Sequence, residues 1–203
     1  MKDKQNWSNR IYNQILKYRG EWIFYSYQTD QIVSHNKILS KAREEALLKE
    51  TADNIVSLFV KEDWGKKYLL PIYFKTVDVH PWKPLYDVKL SIDKETFCNE
   101  RMLLDSGADI SVISFEIGLE LGLKPDENDR VYEAGGVGGG KLSYVSKEIY
   151  IQIDKNPFIR IPVAWIQDKR YNEMIIGREI VFDKFDIEFK QADEEIVFKY
   201  RDK

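Results

Sequence analysis

The sequence predicts a mainly β protein, a barrel or closed sandwich, with a helical region in front of it. Hydrophobic residues make up 43% of the chain and aromatic residues 13%, which excludes a disordered chain. From residue 85 onward, short alternating and β-branched runs are separated by Gly and Pro turn signals. Before residue 61, apolar residues recur at helical spacing. We therefore divide the chain into an N-terminal region, 1–75, and a β domain, 76–203.

The N-terminal region is expected to contain two helices. A short helix is capped by Ser8 or Asn9 and stops at Gly20, and a longer one runs from Ile38 to Val60, where two apolar rows share one arc. The aromatic run Trp22–Tyr27 between them receives no assignment. The role of the region stays open: the long helix serves core or dimer packing, or shields a site in the manner of a pro-segment.

The β domain is expected to contain many short strands and few helices. Strands are predicted at 68–79, 85–92, 96–104, 111–114, 129–134, 141–154, 158–167, 174–176, 185–190 and 196–200, with short helices at 115–121 and 178–184. Such a succession is typical of an all-β barrel or sandwich.

Composition excludes several classes of partner. With 31 Lys and Arg against 34 Asp and Glu, the net charge of −3 argues against nucleic-acid binding. No window approaches the roughly 20 apolar residues that a membrane helix needs. The single cysteine, Cys98, excludes an internal disulfide or a multi-thiolate metal site. We expect a cytoplasmic protein without cofactor or metal.

The most informative segment places a carboxylate at the end of an apolar strand. Asp105 follows Leu103 and Leu104, and Ser106, Gly107 and Ala108 come directly after it. A hydroxyl and a turn-permitting glycine next to a strand-borne Asp suit a rigidly held catalytic acid. Taken alone, Asp-Ser-Gly is more typical of an Asx turn, in which the Asp merely caps the loop. The sequence context decides between the two.

Two further segments follow in order. A glycine-rich run lies between two predicted strands and comprises Gly135, Gly136, Val137, Gly138, Gly139 and Gly140. The run Met174, Ile175, Ile176, Gly177, Arg178 then leads into a short helix. Together with the Asp105 motif, these segments resemble the active-site signature, the flap hairpin and the closing element of the retroviral-type aspartic proteases, the retropepsins. The resemblance covers roughly residues 81–190 and is nearer to cellular or bacterial-like members than to viral ones.

The resemblance implies a closed acid-protease barrel and an aspartic endopeptidase. Peptide hydrolysis by an acid pair needs two carboxylates that share one proton. Only one Asp-Ser-Gly occurs in the chain, so the pair would be Asp105 from each of two copies in a homodimer.

The resemblance also assigns roles around the acid. Ser106 would bridge to the partner's loop, and Gly107 would let the loop turn. The carbonyl of Gly107, together with Ala108 and the backbone near Asp109, would bind an extended peptide substrate. Arg178 would pair with Asp109. The closing residues Ile175, Ile176 and Gly177 would support the loop.

The glycine run allows three interpretations. A mobile surface loop is one, and a phosphate cradle is poorer because a strand follows where a helix N-terminus is required. A flap tip, with Val137 covering a bound peptide, fits best.

Other candidate groups are weaker. His35 and His80 lie in different regions, so a histidine-activated nucleophile has little support. Cys98 is expected to be a small buried hydrophobe.

The sequence leaves two functions open. The first is the aspartic endopeptidase. The alternative is a catalytically silent retropepsin-like module for peptide binding or dimerisation, because the flanking segments have no counterpart in the resemblance.

Overall fold

The computed structural model describes residues 7–65, 69–70, 75–76, 82–135 and 141–202. Within them the chain is mainly β with short helices, as expected. No described helix is long and apolar enough to span a membrane.

The N-terminal region combines helices with strands. Its elements are α1 (Trp7–Arg10), α2 (Tyr12–Ile15), a 3₁₀ turn (Leu16–Tyr18), β1 (Glu21–Ser26), β2 (Gln31–Asn36), α3 (Leu39–Leu47), a second 3₁₀ turn (Ala52–Asn54) and β3 (Ile55–Val60). The unassigned aromatic run is therefore strand β1.

The long helix predicted from Ile38 to Val60 is wrong beyond Leu47. Residues 55–60 instead pair antiparallel with β1 along their whole length, from Ser26 opposite Ile55 to Glu21 opposite Val60. Leu48, which the helical row assigned to the buried face, is 87% exposed. A strand buried on both faces shows no alternation, so its apolar residues also satisfied a helical spacing.

Two short strands come next, β4 (Leu69–Leu70) and β5 (Lys75–Thr76), which pair antiparallel with each other. From residue 85 onward the elements agree with the sequence prediction to within about three residues. They are β6 (Leu85–Ser91), β7 (Phe97–Leu104), β8 (Ser111–Ile113), α4 (Phe115–Glu120), β9 (Val131–Gly135), β10 (Lys141–Ile153), β11 (Ile159–Ile166), β12 (Ile175–Ile176), α5 (Val181–Lys184), β13 (Phe185–Lys190) and β14 (Glu195–Tyr200). The strand predicted over 68–79 falls largely outside the described residues, and only β4 and β5 of it are described.

One ten-stranded sheet contains most of the strands, in the order β12, β8, β11, β10, β6, β7, β3, β1 and β2, with β9 beside β10. The two-residue strand β12 also pairs parallel with β7, so the pairings lead from β7 through β6, β10, β11, β8 and β12 back to β7. Strands β13 and β14 form a separate antiparallel hairpin. This topology brings β12 directly to the end of β7.

Strand β3 attaches the N-terminal region to the β domain. It lies parallel to β7, with Ser57 opposite Glu100. The boundary near residue 75 therefore falls after strands that already belong to the common sheet, and the division into 1–75 and 76–203 stays a prediction.

Two apolar clusters fill the interior. The larger lies inside the β domain and includes the buried side of α3, with Leu39, Ala42 and Ala46 fully buried. The smaller one joins α1 and α2 to β1 and β3 and contains Trp7, Ile15, Tyr25 and Trp64.

Buried ion pairs fix the N-terminal region to the β domain. Arg43 of α3 contacts Glu100 of β7 at 2.8 Å, and Glu100 is 1% exposed. Arg101 pairs with Asp87 at 2.5 Å, while Trp7 Nε1 donates to the same carboxylate. Burial raises the pKa of both Asp87 and Glu100, against the opposing effect of the two arginines. Removal of either arginine would leave a buried carboxylate without its cation.

Candidate active site

Asp105 directly follows strand β7, and two backbone hydrogen bonds fix the chain at this point. Leu104 N donates to Pro84 O at 2.8 Å, and Asp105 N donates to Ile176 O at 3.1 Å. The backbone that carries the carboxylate is therefore bonded to the segment before β6 and to β12. Neither acceptor was named from the sequence, because a backbone carbonyl leaves no signal in residue type.

The loop after Asp105 is a tight turn that the carboxylate itself closes. Gly107 N donates to Asp105 Oδ1 at 2.8 Å, and Ala108 N donates to Asp105 O at 3.2 Å. A Cβ at Gly107 would lie 3.1 Å from Asp105 Oδ1, tighter than nine in ten such contacts, so a larger residue would press on the carboxylate. Ser106 is exposed.

The first of these bonds is the Asx turn considered from the sequence alone. It engages one carboxylate oxygen, and no further hydrogen bond to the Asp105 carboxylate occurs within the described part of the chain. The turn thus orients the group, and Oδ2 accepts no hydrogen bond from the described residues.

The closing element packs directly beneath this loop. Ile175 and Ile176 pair with Leu103 and Leu104, and Gly177 N donates to Ser111 Oγ at 3.0 Å. A Cβ on Gly177 would lie 2.4 Å from the carbonyl carbon of Ile110, so only glycine allows this approach.

Arg178 fixes the far side of the loop. Its backbone N donates to Ala108 O at 2.9 Å, and its guanidinium donates to Asp109 Oδ1. The ion pair that the resemblance implied is therefore present, on the exposed surface. Glu179 N donates to Asp109 O at 2.8 Å. Because the Ala108 and Asp109 carbonyls serve the loop, Gly107 O is the better candidate acceptor for a peptide.

Strands β9 and β10 flank the glycine run as an antiparallel hairpin. Gly135 lies opposite Lys141, and the pairing continues to Val131 opposite Val145. Tyr132 and Tyr144 stack across the hairpin with ring centroids 5.5 Å apart. A strand follows the run, which disfavours a phosphate cradle. Gly136, Val137, Gly138 and Gly139 lie outside the described residues, so their flap role stays a prediction.

The two other candidates that the structure describes, His35 and Cys98, make their contacts away from Asp105. His35 bonds Glu21 at 2.7 Å on β2, and His80 lies outside the described residues. Cys98 is buried within the larger core, and its burial raises the pKa of the thiol well above its usual value. Among the residues described, no group of three or more His, Cys, Asp or Glu side chains is placed to hold a metal ion.

Comparison with known proteins identifies the class. The protein-family model described as retroviral aspartyl protease matches residues 80–185, just over half of the chain. The chain belongs to this family.

Among solved structures, the chain is similar to the EIAV protease complexed with the inhibitor HBY-793. Sequence identity is 27%, the match covers 54% of this chain and 93% of that one, and the TM-score is 0.36. A search of the curated proteins found no match.

Proposed function

We propose that this protein is an aspartic endopeptidase that cleaves peptide bonds with a pair of Asp105 carboxylates, one from each of two copies. The observation that carries the proposal is the Asp105-Ser106-Gly107 loop, held at the end of β7 by Ile176 O in a chain of the retroviral aspartyl protease family.

The chemistry follows from two carboxylates that share one proton. The ionised member accepts a proton from water as the water oxygen attacks the scissile carbonyl carbon, while the protonated member donates to the carbonyl oxygen. The tetrahedral diol then collapses, and a proton moves to the leaving amine as the C–N bond breaks. Catalysis needs one protonated and one ionised carboxylate at the same time, so activity is expected to favour mildly acidic pH.

A homodimer supplies the second acid, because the chain carries a single Asp-Ser-Gly. The exposure of Ser106 supports this arrangement, since a residue assigned to the partner's loop must be accessible in the single chain. We also propose that the ring of six paired strands is the acid-protease barrel of each copy, and that residues 1–75 act as permanent packing of this barrel.

The substrate is proposed to be an extended peptide, which adds as a strand beneath the β9–β10 hairpin. We assign substrate contact to Gly107, Ala108, Asp109 and the hairpin glycines. A reducing, cytoplasmic location belongs to the same proposal and rests on the single buried cysteine.

Replacement of Asp105 with Asn tests the proposal. The amide is nearly isosteric and keeps an oxygen that can accept from Gly107 N, so folding should persist while cleavage of a peptide library and of unfolded protein substrates is lost. Circular dichroism and thermal melting confirm the fold, and a pepstatin-type inhibitor should stop the wild-type enzyme. Cleavage that survives in Asp105→Asn would refute the mechanism. A dimer that binds peptides without cutting them would favour the silent module.

A further inference from the structure

The chain that directly follows β3 forms a short turn, residues 61–64, which we call the clamp turn. Trp64 N donates to Lys61 O at 3.2 Å and closes the turn. Arg19 Nε donates to Trp64 O at 2.6 Å, and Arg19 Nη1 donates to Leu16 O at 3.1 Å. The clamp turn is therefore anchored in the N-terminal region, ahead of residues 80–185 that match the family model.

The first residue of the clamp turn contacts the segment that leads into β12. Lys61 Nζ forms an ion pair with Glu173. The next residue, Met174, accepts the N–H of Leu103 at 2.8 Å. Strand β12 follows at once and carries the carbonyl that accepts the N–H of Asp105. Because β12 has only two residues, the position of Glu173 helps to set where β12 meets the end of β7.

The last residue of the clamp turn contacts the segment that leads into β6. Lys83 Nζ lies over the buried Trp64 ring, 5.1 Å from the ring centroid. The next residue, Pro84, accepts the N–H of Leu104 at 2.8 Å. Burial, and then the neighbouring charge of Lys61, lower the pKa of Lys83, so the two contacts of the clamp turn lie near each other.

The clamp turn thus contacts both segments whose carbonyls fix the chain at Asp105. The cavity that it lines together with Leu103, Glu173 and Met174 has a volume of only about 30 Å³. This is room for about two water molecules. Closely packed elements transmit displacements, so a shift of the turn would reach the candidate catalytic acid.

We propose that Lys61 and Trp64 are positioning residues, which hold the Asp105 carboxylates of the dimer at the separation that catalysis needs. The inference rests on the proposed endopeptidase function. Each residue acts through a backbone carbonyl, Lys61 through β12 and Trp64 through Pro84. A misplacement of 1 Å costs about 100-fold in rate, so a shift of about half that distance predicts a loss of roughly 10-fold. The N-terminal region then contributes to catalysis as well as to packing.

The test compares full-length Lys61→Met with the wild-type chain in peptide cleavage. The side chains of Lys61 and Glu173 are 32% and 37% exposed, so loss of their ion pair should lower Tm by less than about 4 °C. The value of kcat should fall roughly 10-fold at unchanged KM, because the substrate still binds while the acids are misplaced.

The pH profile of kcat gives a second readout, which a merely structural role would not move. Carboxylates that are held further apart repel each other less, so the two apparent pKa values of the profile should move closer together in Lys61→Met. Lys61→Arg keeps a cation for Glu173 and should restore both kcat and the wild-type profile.

Lys89→Met is the matched control. Lys89 pairs with Asp53 at 3.2 Å, so it also joins the β domain to the N-terminal region, with the same 32% side-chain exposure as Lys61. Its partners, Asp53 and the Phe97 ring, belong to segments other than those that fix Asp105. Its kcat and pH profile should therefore match the wild type.

Lys83→Met tests the second contact independently. It removes the cation above the Trp64 ring and keeps an apolar side chain of similar length. We expect the same fall in kcat and the same change of pH profile as in Lys61→Met, whereas Lys83→Arg, which keeps a cation over the ring, should retain the wild-type values.

The outcomes separate two failures. Wild-type kcat in folded Lys61→Met or Lys83→Met, or an equal loss in Lys89→Met, would overturn this inference alone. A loss of activity that follows only the folded fraction, with an unchanged pH profile, would overturn it as well. A wild-type protein that cleaves no peptide would overturn the proposed function itself.

Discussion

Replacement of Gly177 with Ala should displace the Asp105 loop. The added Cβ would lie 2.4 Å from Ile110 C, 2.5 Å from Ile110 O and 2.7 Å from Ser111 N. Ordinary carbon contacts are about 3.5–4.0 Å, and backbone atoms cannot rotate away, so the two segments must separate by roughly 1 Å.

The magnitude follows from overpacking and lost hydrogen bonds. Overpacking of this kind destabilises by about 1–3 kcal/mol. The separation also weakens the bond from Gly177 N to Ser111 Oγ and the bond from Arg178 N to Ala108 O, each worth about 0.5–1.5 kcal/mol. The free energy of unfolding should therefore fall by about 2–6 kcal/mol, which lowers Tm by at least about 4 °C. Cleavage should fall as well, because Ile176 O holds Asp105 N.

Urea denaturation and peptide cleavage measure the two effects. Gly135→Ala is the matched control, since no heavy atom lies within 4 Å of its added Cβ. Its unfolding free energy should stay within about 0.5 kcal/mol of the wild type. A Gly177→Ala protein that melts within about 1 °C of the wild type and cleaves normally would show that this close approach is absent.

Three further predictions concern groups outside the loop. Arg43→Ala leaves the buried Glu100 carboxylate without its cation and should lower the free energy of unfolding in urea by about 3–5 kcal/mol. The double variant Arg43→Met with Glu100→Leu should be near neutral or stabilising. An equal loss of stability in the single and the double variant would contradict a buried ion pair. Cys98 is buried, and burial raises the pKa of its thiol well above the usual value. A thiol reagent at pH 8 should therefore modify the protein only when urea unfolds it. Rapid labelling of the native protein would contradict this prediction. Hydrogen bonds from Arg170 hold the pKa of Asp168 at about 2, below its usual 3.8. The stabilisation that they give is therefore complete above pH 3.8 and is lost as the pH falls toward 2. NMR titration of Arg170→Ala should show a higher Asp168 pKa, and an unchanged pKa would exclude Arg170 as the cause of the shift.

The sequence predicted the β domain because its signals are local. Alternation and β-branched runs marked β7, β10 and β11, and Gly and Pro marked the turns between them. The N-terminal prediction failed at residues 48–60, because β3 is buried on both faces and its apolar residues lacked a period of two. Only the pairing of β3 with β1 and β7, which no local pattern encodes, decides its state.

The motifs allowed the candidate site to be predicted from the sequence, whereas the contacts around the site could not be predicted. Asp105, Gly177 and Arg178 belong to short runs of characteristic spacing, and the pair of Arg178 with Asp109 followed from the resemblance. The contact of Arg43 with Glu100 joins residues far apart in the chain. Such a long-range contact could not be predicted from residue spacing.

Mixing wild-type protein with Asp105→Asn tests the claim that each copy contributes one acid to a shared site. Cleavage is followed at a fixed wild-type concentration while the variant is added. Random exchange into heterodimers predicts that activity falls to about half at equal amounts and continues to fall in excess. Subunit exchange is verified by native mass spectrometry with an isotope-labelled variant. Activity that stays constant under a large excess of exchanging Asp105→Asn would contradict the shared site.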